Sequence, residues 1–92
     1  MRVVLSRNPN TDLLSHIEWL ASQSPSAARA AQTAILSGLR TLAQFPASGR
    51  KTETGEHEWP IRFGRGGFIA VYRIERDRVI VGRIFDMRQD RR

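Results

Sequence analysis

The chain has 92 residues, 40% of them apolar, no cysteine and a formal net charge of +6. That length makes one domain spanning 1–92, at the short end of what buries a single core, so a partner covering part of its surface suits its size; the apolar share excludes wholesale disorder. The missing cysteines exclude disulfides, thiolate metal sites and cysteine nucleophiles, and two histidines, His16 and His57, are too few for a histidine-rich metal cluster.

RVVLS, Arg2 to Ser6, is a β-branched run that suits a strand. Its apolar stretch is too short for a signal peptide, and no later run approaches the ~20 residues of a membrane span, so a cytoplasmic protein is expected. Asn8-Pro9 reads as a helix cap followed by proline at the first helical position. Leu13, Leu14, Ile17, Leu20 and Ala21 then recur at helical spacing and define a first helix ending near Gln23. Ser24-Pro25 repeats the start signal, and Ala28, Ala31, Ile35, Leu39 and Leu42 form the stripe of a second helix running to about Gln44. Phe45-Pro46 ends it, because the residue before a proline is pushed out of helical geometry. So short a connection requires an antiparallel helical hairpin.

The period changes after Pro46. RKTETGEHE, Arg50 to Glu58, reads as an exposed polar loop. Trp59, Ile61 and Phe63 alternate, with Pro60 marking an edge or irregular strand. GRGG and ERDR are turns, and the segments Phe68 to Ile74 and Val79 to Phe85 are apolar on both faces, as central strands are. The predicted class is α+β, in the order β-α-α-β-β-β: a hairpin of helices packed on a small, mainly antiparallel sheet, with the first strand beside the terminal hairpin.

Fourteen of the fifteen basic residues are arginine, and eleven of the fifteen lie from Arg50 onward, against seven acids. Arginine's planar fork binds carboxylates and phosphates in pairs, so the second half favours specific acidic partners. The end of the chain, RIFDMRQDRR, is arginine-laden but carries no histidine or tyrosine; such a tail suits docking better than acid–base chemistry.

Two phrases carry a resemblance. LAQFPASGR, Leu42 to Arg50, and AVYRIERDRVIVGRIFDMRQD, Ala70 to Asp90, resemble the helix–sheet junction and terminal hairpin of the RelE/ParE superfamily of toxins from type II toxin–antitoxin modules. The superfamily's RelE-like branch implies ribosome-dependent mRNA cleavage, which needs a proton acceptor, a cation for the phosphorane charge and a donor for the leaving oxygen. Here the terminal histidine of the pattern falls on Asp86, and a carboxylate beside a phosphodiester is repelled. A site of that kind would have to draw on His57 or Glu58 as base with Arg62 or Arg83 as cation. Tyr72, the sole tyrosine, reads as a core ring with its hydroxyl bonded, and His16 as a surface or helix-pair residue.

The ParE-like branch fits better and implies a DNA gyrase poison with no cofactor, catalytic residue or metal, docking through Arg83, Arg88, Arg91 and Arg92. It also implies a ParD-like antitoxin whose disordered C-terminal segment folds on binding over the helical hairpin and sheet edge. Trp19, Trp59 and Phe63 are the candidate anchors, with Trp19 falling away from the first apolar stripe. A small nucleic-acid-binding module is a further alternative. The basic composition permits it, but no helix-turn-helix or aromatic RNA-binding strand motif supports it.

Overall fold

The computed structural model describes residues 1–87, with Pro9 and Asn10 by backbone alone. The elements are β1 (Arg2–Leu5), α1 (Arg7–Gln23), α2 (Pro25–Gln44), β2 (Arg50–Lys51), β3 (His57–Phe63), β4 (Gly66–Glu75) and β5 (Arg78–Asp86). They form one five-stranded sheet in the order β1-β5-β4-β3-β2. Only β1 runs parallel to its neighbour β5; the other pairings are antiparallel. Both helices lie on one face of this mixed sheet, and no described element packs on the other.

Ser24 alone joins the helices. Its backbone N–H donates to Leu20 O at 2.7 Å, closing α1, while its Oγ accepts from Ala27 N at 3.2 Å, opening α2, with Pro25 at the first helical position. The stripe read from the sequence is the buried one: Ala28, Ala31, Ile35, Leu39 and Leu42 enter the core beside Ile61, Phe68, Ala70, Tyr72 and Ile84. Full burial of an aliphatic side chain such as Ile35 or Leu42 contributes about 1.5–3 kcal/mol. By contrast none of the described side chains of α1 is completely buried; Leu13, Ile17 and Leu20 are half-covered, and Leu14 and Ala21 of the predicted stripe are exposed.

Two boundaries differ from the sequence reading. Helix α1 is capped at Ser6, not Asn8, and Pro9 occupies its third position. The first turn of a helix has no internal partners for its N–H groups, so proline is tolerated throughout it. The polar segment 50–58 is a loop only in its middle: Arg50 and Lys51 pair with Glu58 and His57 as a short hairpin closed by Thr52 N to Glu56 O at 2.7 Å. Charged side chains hid β2 because it lies at a sheet edge, where solvated residues are common.

Tyr72 fixes the junction between α2 and the sheet. It is wholly buried, and its hydroxyl donates to Pro46 O at 2.7 Å and accepts from Gly49 N at 3.0 Å. A Cβ at Gly49 would lie 2.4 Å from that hydroxyl, so the close approach requires glycine. Burial raises the phenol's pKa above its ordinary 10.0, with the Gly49 N–H acting against the shift. Tyr72→Phe is expected to lower stability by about 1–3 kcal/mol, measured as a shifted urea midpoint, because two backbone groups lose their partner. The stability that the neutral phenol contributes below pH 10.0 in the wild type is lost as pH rises through the folded value. The Phe variant should lack that alkaline loss, and an unchanged alkaline limb would refute the assignment.

Candidate functional site

The helices leave β5 incompletely flanked. β1 stops at Leu5, with Ser6 N reaching Val81 O at 3.1 Å, while β5 continues to Asp86. Helix α1 takes over as a neighbour through two side chains one turn apart. Asp12 Oδ2 accepts from Ile84 N at 3.1 Å, and His16 Nε2 lies 3.4 Å from Ile84 O. Asp12 also holds Arg83 through two bonds, 2.8 Å from Nε and 3.1 Å from Nη2, and the guanidinium lies over the Phe85 ring, 4.9 Å from its centroid. Burial on its own would raise the Asp12 pKa; the hydrogen bonds from Arg83 and Ile84, with Arg83's charge, outweigh it and hold the carboxyl below its ordinary 3.8. Sequence reasoning missed Asp12. The only local signal was an acid and a histidine at helical spacing, since the partners lie 71 and 72 residues away.

Beyond this clasp a groove of about 670 Å³ opens between α1 and the β3–β4 turn. Trp19, Leu20 and His16 form one wall, and Phe63, Phe68 and Asp86 lie across from them. The rings are stacked and tilted on one another, His16 to Phe68 at 5.4 Å and Phe63 to Phe68 at 6.3 Å between centroids. Gly67 (φ 143°) lets the turn sit this close, for a Cβ there would fall 2.1 Å from Ile61 O. Two of the three expected anchors thus meet in the groove: Trp19, 56% exposed, and Phe63. Trp59 does not line it; its Nε1 donates to Gly38 O at 3.0 Å and ties β3 to α2.

The strand register sorts the remaining candidates between two faces, because cross-strand partners share a face. Phe68, Ala70 and Tyr72 point into the core. His57, the partner of Tyr72, lies on that same side, its ring stacked 5.0 Å from the tyrosine and its Nδ1 enclosed without a hydrogen-bond partner among the described residues. On the opposite face Glu58, Val71 and Arg83 stand in one row, and Arg62 is exposed on the same side of β3. A base at His57 and a cation at Arg62 or Arg83 are therefore separated by the sheet. Glu58 shares a face with both arginines, and its Oε1 accepts from Arg50 at 2.6 Å. Arg88, Arg91 and Arg92 lie outside the described residues.

This strand, helical hairpin and mixed sheet are the fold of toxins from toxin–antitoxin modules. A chain of the solved "Chromosomal ParDE TA system from P. aeruginosa" matches with a TM-score of 0.79 over 95% of this chain and 96% of its own, at 21% identity. "Toxin RelE3" of Caulobacter vibrioides is 35% identical over 82 residues, 89% of either chain. The chain belongs to the family of ParE toxins of the type II toxin–antitoxin system parDE, which it matches over residues 3–91.

The clasp makes a prediction. A carboxylate with a lowered folded pKa contributes stability above its unfolded value, about 3.8, and that stability is lost as pH falls through the folded value. Asp12→Asn should therefore unfold more easily at neutral pH, by about 1–3 kcal/mol, with the difference from wild type shrinking near pH ~2. Equal differences at both pH values would show that the carboxylate charge is not the source.

Proposed function

We propose that this protein is a cytoplasmic toxin of the ParE-like branch that arrests growth by poisoning DNA gyrase, and that a ParD-like antitoxin neutralises it by folding a segment into the groove beside Trp19 and Phe63. The observation that carries the antitoxin half is the groove itself. An exposed indole and a stacked pair of phenyl rings around a wide, apolar cleft make the kind of centre at which interface energy concentrates. The family to which the chain belongs and the likeness to a ParDE chain support the same pairing.

The target half is supported by the division of residues between faces. An RNase of the RelE-like kind needs base, cation and leaving-group donor around one phosphate. In this chain His57 stacks on Tyr72 beneath the helices, Arg62 and Arg83 stand on the opposite face, and Asp86, aligned with the branch's histidine, lines the groove. Arg83, with Arg88, Arg91 and Arg92 further along the chain, is then a docking group: a charge-assisted fork for an acidic surface. The name of the Caulobacter relative, Toxin RelE3, favours a second reading, mRNA cleavage on the ribosome, in which Glu58 and Arg62 or Arg83 would act.

Paired assays separate the two. Purified wild-type protein should inhibit gyrase supercoiling and leave ribosome-bound mRNA intact. Arg83→Ala should weaken inhibition by about 1–3 kcal/mol in apparent affinity, whereas His57→Gln should leave it unchanged. Trp19→Ala should cost about 2 kcal/mol or more in antitoxin affinity, roughly 30-fold, read by calorimetric titration. Position-specific mRNA cuts with gyrase untouched would establish the RelE-like reading instead.

A further inference from the structure

The face of the sheet that carries no helix has a composition of its own. By register it presents Arg2, Arg50, Arg62, Arg73, Arg78 and Arg83, against only Glu58 and Glu75. Between the arginines lies an apolar centre: exposed Pro60 with half-buried Ile69, Val71 and Phe85, Pro60 and Ile69 also flooring a shallow depression beside Arg50 and Glu58. A solvated sheet face would place polar residues at these central positions. An apolar centre with a charged rim is instead the anatomy of a protein interface.

We propose that this face is a docking surface for an acidic, extended protein segment that places apolar side chains over Ile69, Val71 and Phe85 and carboxylates on the surrounding arginines. The occupant is a segment of the protein the toxin acts upon, so the proposal rests on the toxin reading but not on gyrase being the target. Two observations select a carboxylate-bearing protein over a nucleic acid. The arginines here already hold carboxylates, Arg50 with Glu58, Arg73 with Glu75 and Arg83 with Asp12. The one aromatic ring of the centre, Phe85, has its face taken by the Arg83 guanidinium, which leaves no platform on which bases would stack.

The internal ion pairs do not block an incoming segment. The side chains of Arg50, Arg73 and Arg83 are 75%, 50% and 47% exposed, so each guanidinium keeps donors open to water outside its ion pair. An incoming carboxylate can bind those open donors without displacing Glu58, Glu75 or Asp12, and covering the aliphatic centre is favourable. Arg62, like Arg2 and Arg78, forms no ion pair among the described residues, and it lies nearest in the register to Pro60 and Ile69.

The probe is a synthetic twelve-residue peptide alternating aspartate and valine, titrated into the isotopically labelled full chain and followed by amide chemical shifts. Shifts should cluster on Ile69, Val71 and Phe85, and the paired reversal Arg62→Glu with Arg73→Glu should weaken binding at least tenfold. Both reversed residues are exposed, so an unchanged thermal midpoint is expected; Val71→Glu tests the centre independently. In cells, both variants should lose growth arrest. Shifts confined to the Trp19 groove, no shifts at all, or full growth arrest by both variants would overturn the proposal. So would tighter binding of a labelled single-stranded RNA or duplex DNA to the same amides, which would make this a nucleic-acid face. If the wild type fails to arrest growth, the toxin reading falls, while the peptide titration still decides whether the face takes acidic segments.

Discussion

The outward-facing N–H and C=O of Ile84 need partners, and the way they find them organises the molecule. β1 supplies a neighbour to β5 only as far as Val81, and an unpaired strand edge beyond that point would leave buried backbone unsatisfied or exposed to another chain. Asp12 and His16, one turn apart on α1, close that gap with side chains. The consequence is positional. With α1 pinned to β5 at Ile84, the next turn of the helix holds Trp19 and Leu20 over Phe68, so the groove exists because the edge was closed by a helix rather than by a longer first strand.

A second local device divides the sheet's two surfaces. The β4–β5 register shifts between Val71 and Tyr72, where Tyr72 opposes Val81 and Val71 opposes Arg83, leaving Gly82 as the additional residue. Such a bulge rotates the strand beyond it by one position. Without it Arg83 would take the inward place next to Val81's row, and a charged side chain would be driven into the core. With it Arg83 faces outward, where Asp12 reaches it from the edge, and Ile84 turns inward to full burial. One inserted glycine therefore sets both the basic face and the last layer of the core.

Most of the architecture was legible because it is written in local periodicity. The α2 stripe, the Ser24-Pro25 boundary and the two central strands follow from spacing that any helix or buried strand must obey, and Tyr72's bonded hydroxyl follows from the cost of burying a phenol. The weaker signals concern half-covered or edge elements. Leu14 fits the α1 stripe by spacing yet is 58% exposed, whereas its neighbour Leu13 packs against the core. The two-residue β2 is all charge. Neither the Asp12 clasp nor the bulge is visible in a window of sequence: the first joins residues seventy-odd positions apart, and in VIVGRIF the glycine interrupts a run apolar on both sides, so alternation could not reveal the change of face. Of the site, the exposed Trp19 was legible from its angle on the helix, whereas the separation of His57 from Arg62 and Arg83 required the register.

The two surfaces ask for different chemistry, and this bears on how one small chain would serve the two partners proposed for it. The groove is walled by aromatic and aliphatic groups with Asp86 at its rim, whereas the opposite face is arginine-framed around an aliphatic centre. An acidic segment meets six arginines on the second and Arg65 beside Asp86 on the first; an amphipathic apolar segment prefers the first. Because the sheet, about 10 Å from one packed layer to the next, stands between them, a ligand filling the groove does not cover the arginines by contact alone. An antitoxin segment in the groove that neutralised by shielding would therefore have either to continue around the sheet edge past Arg83 or to act through the clasp, where α1 touches groove and arginine together: His16 lines the groove, Asp12 holds Arg83, and both, one turn apart, are fixed by the backbone of Ile84.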